Sequence, residues 1–316
     1  MKRALSKDAL GTRYKNLFNQ WTKLHARRPR LLYHYTDAAG LLGMLKSQRL
    51  WATNSRFLND PTETEYAAKL VTEIVWDLQQ DYPSSLFLDV TEGIRTLLET
   101  YVDRGEQYLA CFCENGDLLS QWRGYGATGG GYALGFTAKY LGLNYYPRAE
   151  KPEPILRKVL YRKRQQKEII RKWVRFLFDW EILRRRKPRQ KQAPMNFRDE
   201  GWLKFNWFIS ECLRCFKNPA YQEEKEWRVI QHGISFYGQS IGSPDFRASR
   251  GKIVQFVELD FTNSKSKYKG KLPLKTIRYG PTLDTKVAER SLGLLCREKG
   301  YGNLVTITKS GVPFSG

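Results

Sequence analysis

The chain has 316 residues, 41% of them hydrophobic and 14% aromatic, enough for a sizeable core and too many for wholesale disorder. Its 54 lysines and arginines against 32 aspartates and glutamates give a formal net charge of +22, a field that attracts nucleic acid, an anionic membrane or an acidic protein. No stretch approaches ~18 unbroken apolar residues, the N-terminus lacks the apolar core of a signal peptide, and five cysteines do not make a disulfide framework, so a chain without membrane spans in a reducing cytoplasm is expected.

Residues up to about Pro29 have Leu10, Tyr14, Leu17, Phe18, Trp21 and Leu24 at helical spacing, a basic amphipathic helix that could dock on the body, a partner helix or RNA. An apolar run from Leu32 then ends on His34, Tyr35 and Thr36, and Asp37 is placed to N-cap a helix over Ala38–Lys46. A second apolar piece, Leu50-Trp51-Ala52, delivers Asn54, Ser55 and Arg56 to a loop ending in the turn signal Asn59-Asp60-Pro61. Polar clusters at the ends of two short apolar segments read as the lip of a ligand cleft, or as ordinary polar strand ends. Thr62-Glu63-Thr64-Glu65 fits a capping box for a packing helix carrying Tyr66, Leu70, Val71, Ile74 and Val75. Pro83 closes it, and a second packing helix follows from Leu86 to Tyr101.

Tyr108–Cys113 has a buried-strand pattern, Glu114–Asp117 a turn, and Leu118–Tyr125 a short helix. The glycines at 126 and 129–131 read as a hinge or tight turn, because no Gly-Lys-Ser/Thr follows to make a phosphate loop. Tyr132–Phe136 is a further strand. After about Lys151 the chain turns strongly basic: Arg162, Lys163, Arg164, Arg171, Arg184, Arg185 and Arg186 belong to a run that faces only Glu168, Asp179 and Glu181. Trp173, Phe176, Phe178 and Trp180 are interleaved, so a helix with an aromatic buried side and a basic surface is expected, the footprint of a nucleic-acid contact.

Gly201–Phe216 resumes a helix on which Cys212-x-x-Cys215 reads as buried thiols; zinc needs two more ligands at matching spacing, and no metal is expected. Glu226 stands at the first residue of an apolar strand, flanked by Arg228. That position suits an acid, a base or a cation-stabilising group, and equally a salt-bridged edge strand. Strands over Ile253–Leu259 and Lys275–Tyr279, a helix over Asp284–Lys299 and a strand over Asn303–Thr308 complete the chain.

The succession Tyr-His-Tyr-Thr, Arg-Phe-Leu-Asn-Asp-Pro-x-Glu, Cys-Phe-Cys-Glu-Asn-x-Asp-x-Leu-x-x-Gln-Trp-x-x-Tyr, Gly-Tyr-Ala-Leu-Gly-Phe and Glu-Lys-Glu-Trp-Arg closely resembles a bacterial family catalogued as domain of unknown function 2971. The similar motifs run from Leu32 to Ser310-Gly311-Val312-Pro313 and leave the basic insert around Arg157–Lys191 unmatched; Cys113 stands where that pattern has serine. The Tyr-His-Tyr-Thr start and the late strand-edge glutamate also look like the ADP-ribosyltransferase superfamily, including DarT toxins. This second resemblance implies an α+β fold, a split antiparallel sheet gripping NAD, as one catalytic domain over 31–316 with a basic helical insert at about 151–217, behind an N-terminal helix over 1–30.

Carried over by residue, it implies that His34 bonds a ribose hydroxyl of the NAD substrate, with Tyr35, Thr36, Asn59 and Trp122 as further cofactor contacts. Tyr125 would stack on nicotinamide, Glu226 would hold the nicotinamide ribose and stabilise the oxocarbenium, and Arg56 would pair with the pyrophosphate or orient the acceptor. The function expected is ADP-ribosylation of RNA or single-stranded DNA bases by a toxin or anti-phage effector, with an antitoxin or activating partner. The alternatives are a non-enzymatic RNA-binding protein on a degenerate scaffold, and a metal-dependent nuclease using Asp60, Glu63 and Glu65.

Overall fold

The computed structural model describes residues 6–58, 62–104, 107–125, 130–142, 153–186, 197, 199–232, 243–249, 251–261, 268 and 270–314. In chain order the first elements are α1 (Lys7–Ala26), β1 (Leu31–Thr36), α2 (Ala38–Ser47), β2 (Leu50–Asn54), α3 (Thr62–Asp77), α4 (Ser84–Arg104), β3 (Gln107–Cys113), α5 (Leu119–Tyr125) and β4 (Tyr132–Thr137). They are followed by β5 (Ile155–Lys158), α6 (Lys163–Arg185), α7 (Glu200–Cys215), β6 (Glu226–His232), β7 (Asp245–Ser249), β8 (Lys252–Leu259), β9 (Leu274–Tyr279), α8 (Thr285–Glu298) and β10 (Thr306–Lys309). The fold is mixed α+β, in two compact units: residues 1–26, 59–106 and 159–221 form one, and 27–58, 107–158 and 222–316 the other. Among the described residues no helix is long and apolar enough to cross a membrane.

The first unit is helical and places the N-terminal helix and the basic insert together, with α1, α3, α4 and α7 around α6. The aromatic residues of α6 are its buried side: Trp173 stacks on Phe208 with centroids 4.6 Å apart, and Phe178 on Tyr82 at 4.2 Å. Cys212 and Cys215 are buried on α7, and none of the five cysteines forms a disulfide.

The basic face of α6 differs from the expected one. Lys167 pairs with Glu73 at 2.9 Å, Arg171 with Asp77 at 2.9 Å and Arg175 with Asp81 at 2.6 Å. Both partners advance one helical turn per rung, so α3 with its following turn runs alongside α6 in the same direction. Arg185 reaches Asp89 of α4 at 2.8 Å, and the buried Arg184 reaches Glu181 at 2.8 Å. The run that faces only three acids along the chain is matched in space by acids about ninety positions earlier. Its opening also shifts, because Ile155–Lys158 form a strand and the helix begins at Lys163.

The second unit is built on a ten-stranded, mostly antiparallel sheet in the order β10-β9-β4-β1-β3-β2-β8-β7, with β6 and β5 branching from β3. One face carries the larger core, in which Leu32, Phe112, Leu134, Phe136, Trp227 and Val229 meet Leu41, Met44 and Leu45 of α2. The strand β7 joins β8 in a hairpin whose Phe246 is exposed, and this short edge strand has no counterpart in the pattern read from sequence.

The two kinds of ion pair in the helical unit differ in worth. Asp77→Asn removes one exposed rung and should cost at most about 1 kcal/mol in urea unfolding, with a smaller effect at high salt. Glu181→Gln removes a buried carboxylate that also accepts Trp202 Nε1 at 2.9 Å and leaves Arg184 uncompensated, so about 3–5 kcal/mol should be lost.

Candidate functional site

The sheet divides at β3. Along one edge β3 pairs with β6 over its whole length, from Gln107 opposite His232 to Cys113 opposite Glu226. A strand has two edges, so β1 and β2 share the other: Tyr33 lies opposite Cys113, while Thr53 and Asn54 lie opposite Leu109 and Tyr108. Between these contacts, over residues 110–112, β1 and β2 part. Into the gap comes the His34 imidazole, whose Nδ1 lies 2.8 Å from the Cys111 carbonyl oxygen.

A carbonyl only accepts, so Nδ1 carries the hydrogen and Nε2 of the neutral ring offers a lone pair. Burial pushes the His34 pKa from 6.5 down to about 4; the bond to Cys111 works against this shift and the Arg247 cation works with it. His34 is a neutral acceptor near pH 7, the form needed to receive a hydroxyl. Thr36, at the end of β1, has its hydroxyl packed against Gly40, where a Cβ would collide with it.

Other expected ligand contacts are held by the protein itself. Tyr35 is 4% exposed; its hydroxyl donates to Asn115 O at 3.1 Å and accepts from Leu118 N at 2.9 Å, and its ring packs 5.0 Å from Trp122. Trp122 is fully buried and donates through Nε1 to Asp117 at 2.8 Å. Asp117 also receives Ser310 Oγ at 2.6 Å and Gly311 N at 2.9 Å, which ties α5 to the C-terminal segment. Burial raises the Asp117 pKa, but these donors prevail and hold the carboxyl below its ordinary range. Tyr35 and Trp122 are therefore packing residues rather than cofactor contacts, because both the rings and the polar tips are already engaged.

Glu226 opens β6, as the sequence indicates, and is 4% exposed. Arg228 clamps it with two bonds, Nε to Oε1 at 2.7 Å and the terminal nitrogen to Oε2 at 2.9 Å. The register places Tyr33, Cys113 and Glu226 on one face of the sheet. His34, next to Tyr33, belongs to the other, with Phe112 5.6 Å from its ring. The facing of Glu226 and His34 across one pocket is thus corrected: they differ by one residue in register, and side chains alternate along a strand.

Arg56 is exposed in the turn Ser55–Phe57, its backbone N–H bonded to Asn54 Oδ1. Asn59, Asp60 and the side chain of Tyr125 lie outside the described residues. Of the basic residues assigned to nucleic acid, Arg171, Arg184 and Arg185 are ion-paired within the helical unit, a correction that follows from the acids of α3, α4 and α6 itself. Arg162, Lys163 and Arg164 are exposed at the N-terminal end of α6, and Arg186 is exposed at its C-terminal end. The helical unit also has a cleft of about 270 Å³ between Tyr66, Lys69 and Tyr221, over a buried pair of Glu63 with Lys217 at 2.9 Å. Among the described residues no group of three His, Cys, Asp or Glu side chains converges as a metal site.

Glu226→Gln leaves Arg228 buried beside a neutral amide, so it should cost about 3–5 kcal/mol of stability by urea unfolding. His34 gives a pH signature. Its folded pKa lies below the unfolded value of 6.5, so the unfolded chain binds more protons between about pH 4 and 6.5, and stability falls as pH drops through that window. In His34→Gln the loss of stability from neutral pH to mildly acid pH should be smaller than in the wild type, measured by urea midpoints at the two values.

Residues 121–229, about a third of the chain, match the family model described as "Protein of unknown function (DUF2971)". The match runs from α5 into β6 and includes the basic insert that the motif resemblance leaves unmatched. No curated protein and no solved structure matches the chain. Across residues 121–229 the chain is similar to the DUF2971 family.

Proposed function

We propose that the fork in the sheet is a dinucleotide site and that the chain is an NAD-dependent ADP-ribosyltransferase acting on exposed bases of RNA or single-stranded DNA. The observation that carries this reading is the division at β3, with His34 neutral in the gap and its Nε2 presented as an acceptor for a ribose hydroxyl. Nicotinamide bound to ribose is already cationic, so its departure needs no acid, and the site has to hold the sugar in a reactive geometry. On this reading Glu226 acts through the structure, since Arg228 pins it and it locks the start of β6 against β3.

The net charge of +22 supports a polyanionic acceptor. Arg162, Lys163 and Arg164 support it further, because cations at a helix N-terminus oppose the macrodipole and a phosphate there relieves them. As a defence effector or toxin the chain would act with an antitoxin or activating partner. A second reading, a non-enzymatic RNA-binding protein, is favoured by the Arg228 clamp, which takes up the charge of the strand-edge carboxylate.

The test is incubation of the purified chain with NAD labelled in its adenylate, separately with RNA, single-stranded DNA and protein. Transfer of label to nucleic acid, lowered by about 10²–10³ in His34→Ala, is the expected outcome. Salt-sensitive RNA binding with no label transferred would establish the second reading in its place.

A further inference from the structure

Arg247 lies on the edge strand β7, on the β2 side of the fork. Its guanidinium carbon stands 5.4 Å from the ring centroid of Trp51 and 5.9 Å from that of Phe256. A terminal nitrogen donates to Thr53 Oγ1 at 3.0 Å, and Thr53 is the residue through which β2 joins β3. The Nε atom is buried and has no hydrogen-bond partner among the described residues.

Arg247 is half-buried, and a guanidinium drawn from water ordinarily meets a carboxylate, as the more deeply buried Arg228 meets Glu226 and Arg184 meets Glu181. Arg247 meets none within ion-pair distance among the described residues. Asp37 acts on it only from further off, and its Oδ1 is committed to Gly40 N as the cap of α2. Burial lowers the Arg247 pKa, the cost expected of a charge kept in place without a counter-ion. On the other side of the gap His34 contributes an acceptor, and Arg247 is near enough to bias its charge. A ligand that satisfies both carries an anionic group and free hydroxyls on one molecule.

We propose that Arg247 is the anion-binding residue of the fork and that its ligand is the pyrophosphate of a nucleoside diphosphate. The planar guanidinium would bond two phosphate oxygens at once while resting on Trp51 and Phe256. This deepens the dinucleotide reading and rests on it for the sugar; the anion contact stands on Arg247 alone. It replaces Arg56, which is exposed in its turn, as the pyrophosphate partner.

The test is calorimetric titration of the full chain with inorganic pyrophosphate at about 150 mM salt, where diffuse attraction to a basic surface is screened. The wild type should bind saturably. Arg247→Gln should weaken binding at least about tenfold and Arg247→Lys at least about fivefold, because lysine keeps the charge but loses the fork of donors. Arg297→Gln, an exposed arginine on α8, should bind as the wild type does. Absence of saturable binding to the wild type, or unchanged binding to Arg247→Gln, overturns the assignment. If both Arg247 variants misfold, phenylglyoxal modification of the wild type reads the same claim by peptide mass: pyrophosphate should slow modification of Arg247 at least about tenfold, and no protection overturns it. Binding of pyrophosphate through Arg247 without binding of NAD would keep the anion site and remove the dinucleotide reading.

Discussion

The sheet unit is governed by the competition of two strands for one edge of β3. With β6 occupying the opposite edge throughout, β1 and β2 can each hold only an end, Cys113 for one and Leu109 with Tyr108 for the other. The interval between them must still satisfy its outward polar groups, since backbone carbonyls removed from water need partners. An imidazole does this for Cys111. From that point the sheet goes two ways: β4, β9 and β10 continue beyond β1, and β8 and β7 beyond β2. The histidine that closes the backbone account at the division keeps its other ring nitrogen as an acceptor.

The recurrent polar and aromatic residues of the sequence largely serve one another. Asp117 gathers Trp122, Ser310 and Gly311; Glu114 receives Trp227 Nε1 at 2.8 Å; Tyr35 bridges Asn115 and Leu118. Tyr33 lies over Gly116 and Gly135, where any Cβ would collide with its ring. Buried polar groups of this kind stay only when fully partnered, so residue types suited to ligands are also the types that join distant motifs into one framework. Among the described residues, those that these mutual bonds leave open include His34 Nε2, Arg247 Nε and the exposed cations at the start of α6.

Charge in the helical unit follows the same logic. The +22 of the chain is a property of composition and survives folding as a long-range field. Its local expression does not, because α3 and α4 bring Glu73, Asp77 and Asp89 against α6 and convert part of a basic surface into ladder rungs. Those rungs are individually weak, whereas the buried Glu181 node joining Arg184 to Trp202 is a sensitive point of the unit.

Most of the elements were legible in the sequence, because periodicity and capping are local: α1 through Leu10, Leu17 and Trp21, α2 behind its Asp37 cap, β3 and β6 as apolar runs, and Glu226 at the first residue of its strand. The short edge strand β7 and the strand β5 ahead of the basic helix gave no such signal, since an exposed or four-residue strand has little pattern to show. The sequence by itself determined composition, charge, the α+β class and the polarity of each element. Only the tertiary structure decided which side chains meet: a shift of one residue separates Glu226 from His34 by a whole sheet face, and ion pairs spanning ninety residues neutralise part of a basic run. Register and long-range pairing depend on contacts between segments far apart in the chain, and no local rule carries that information.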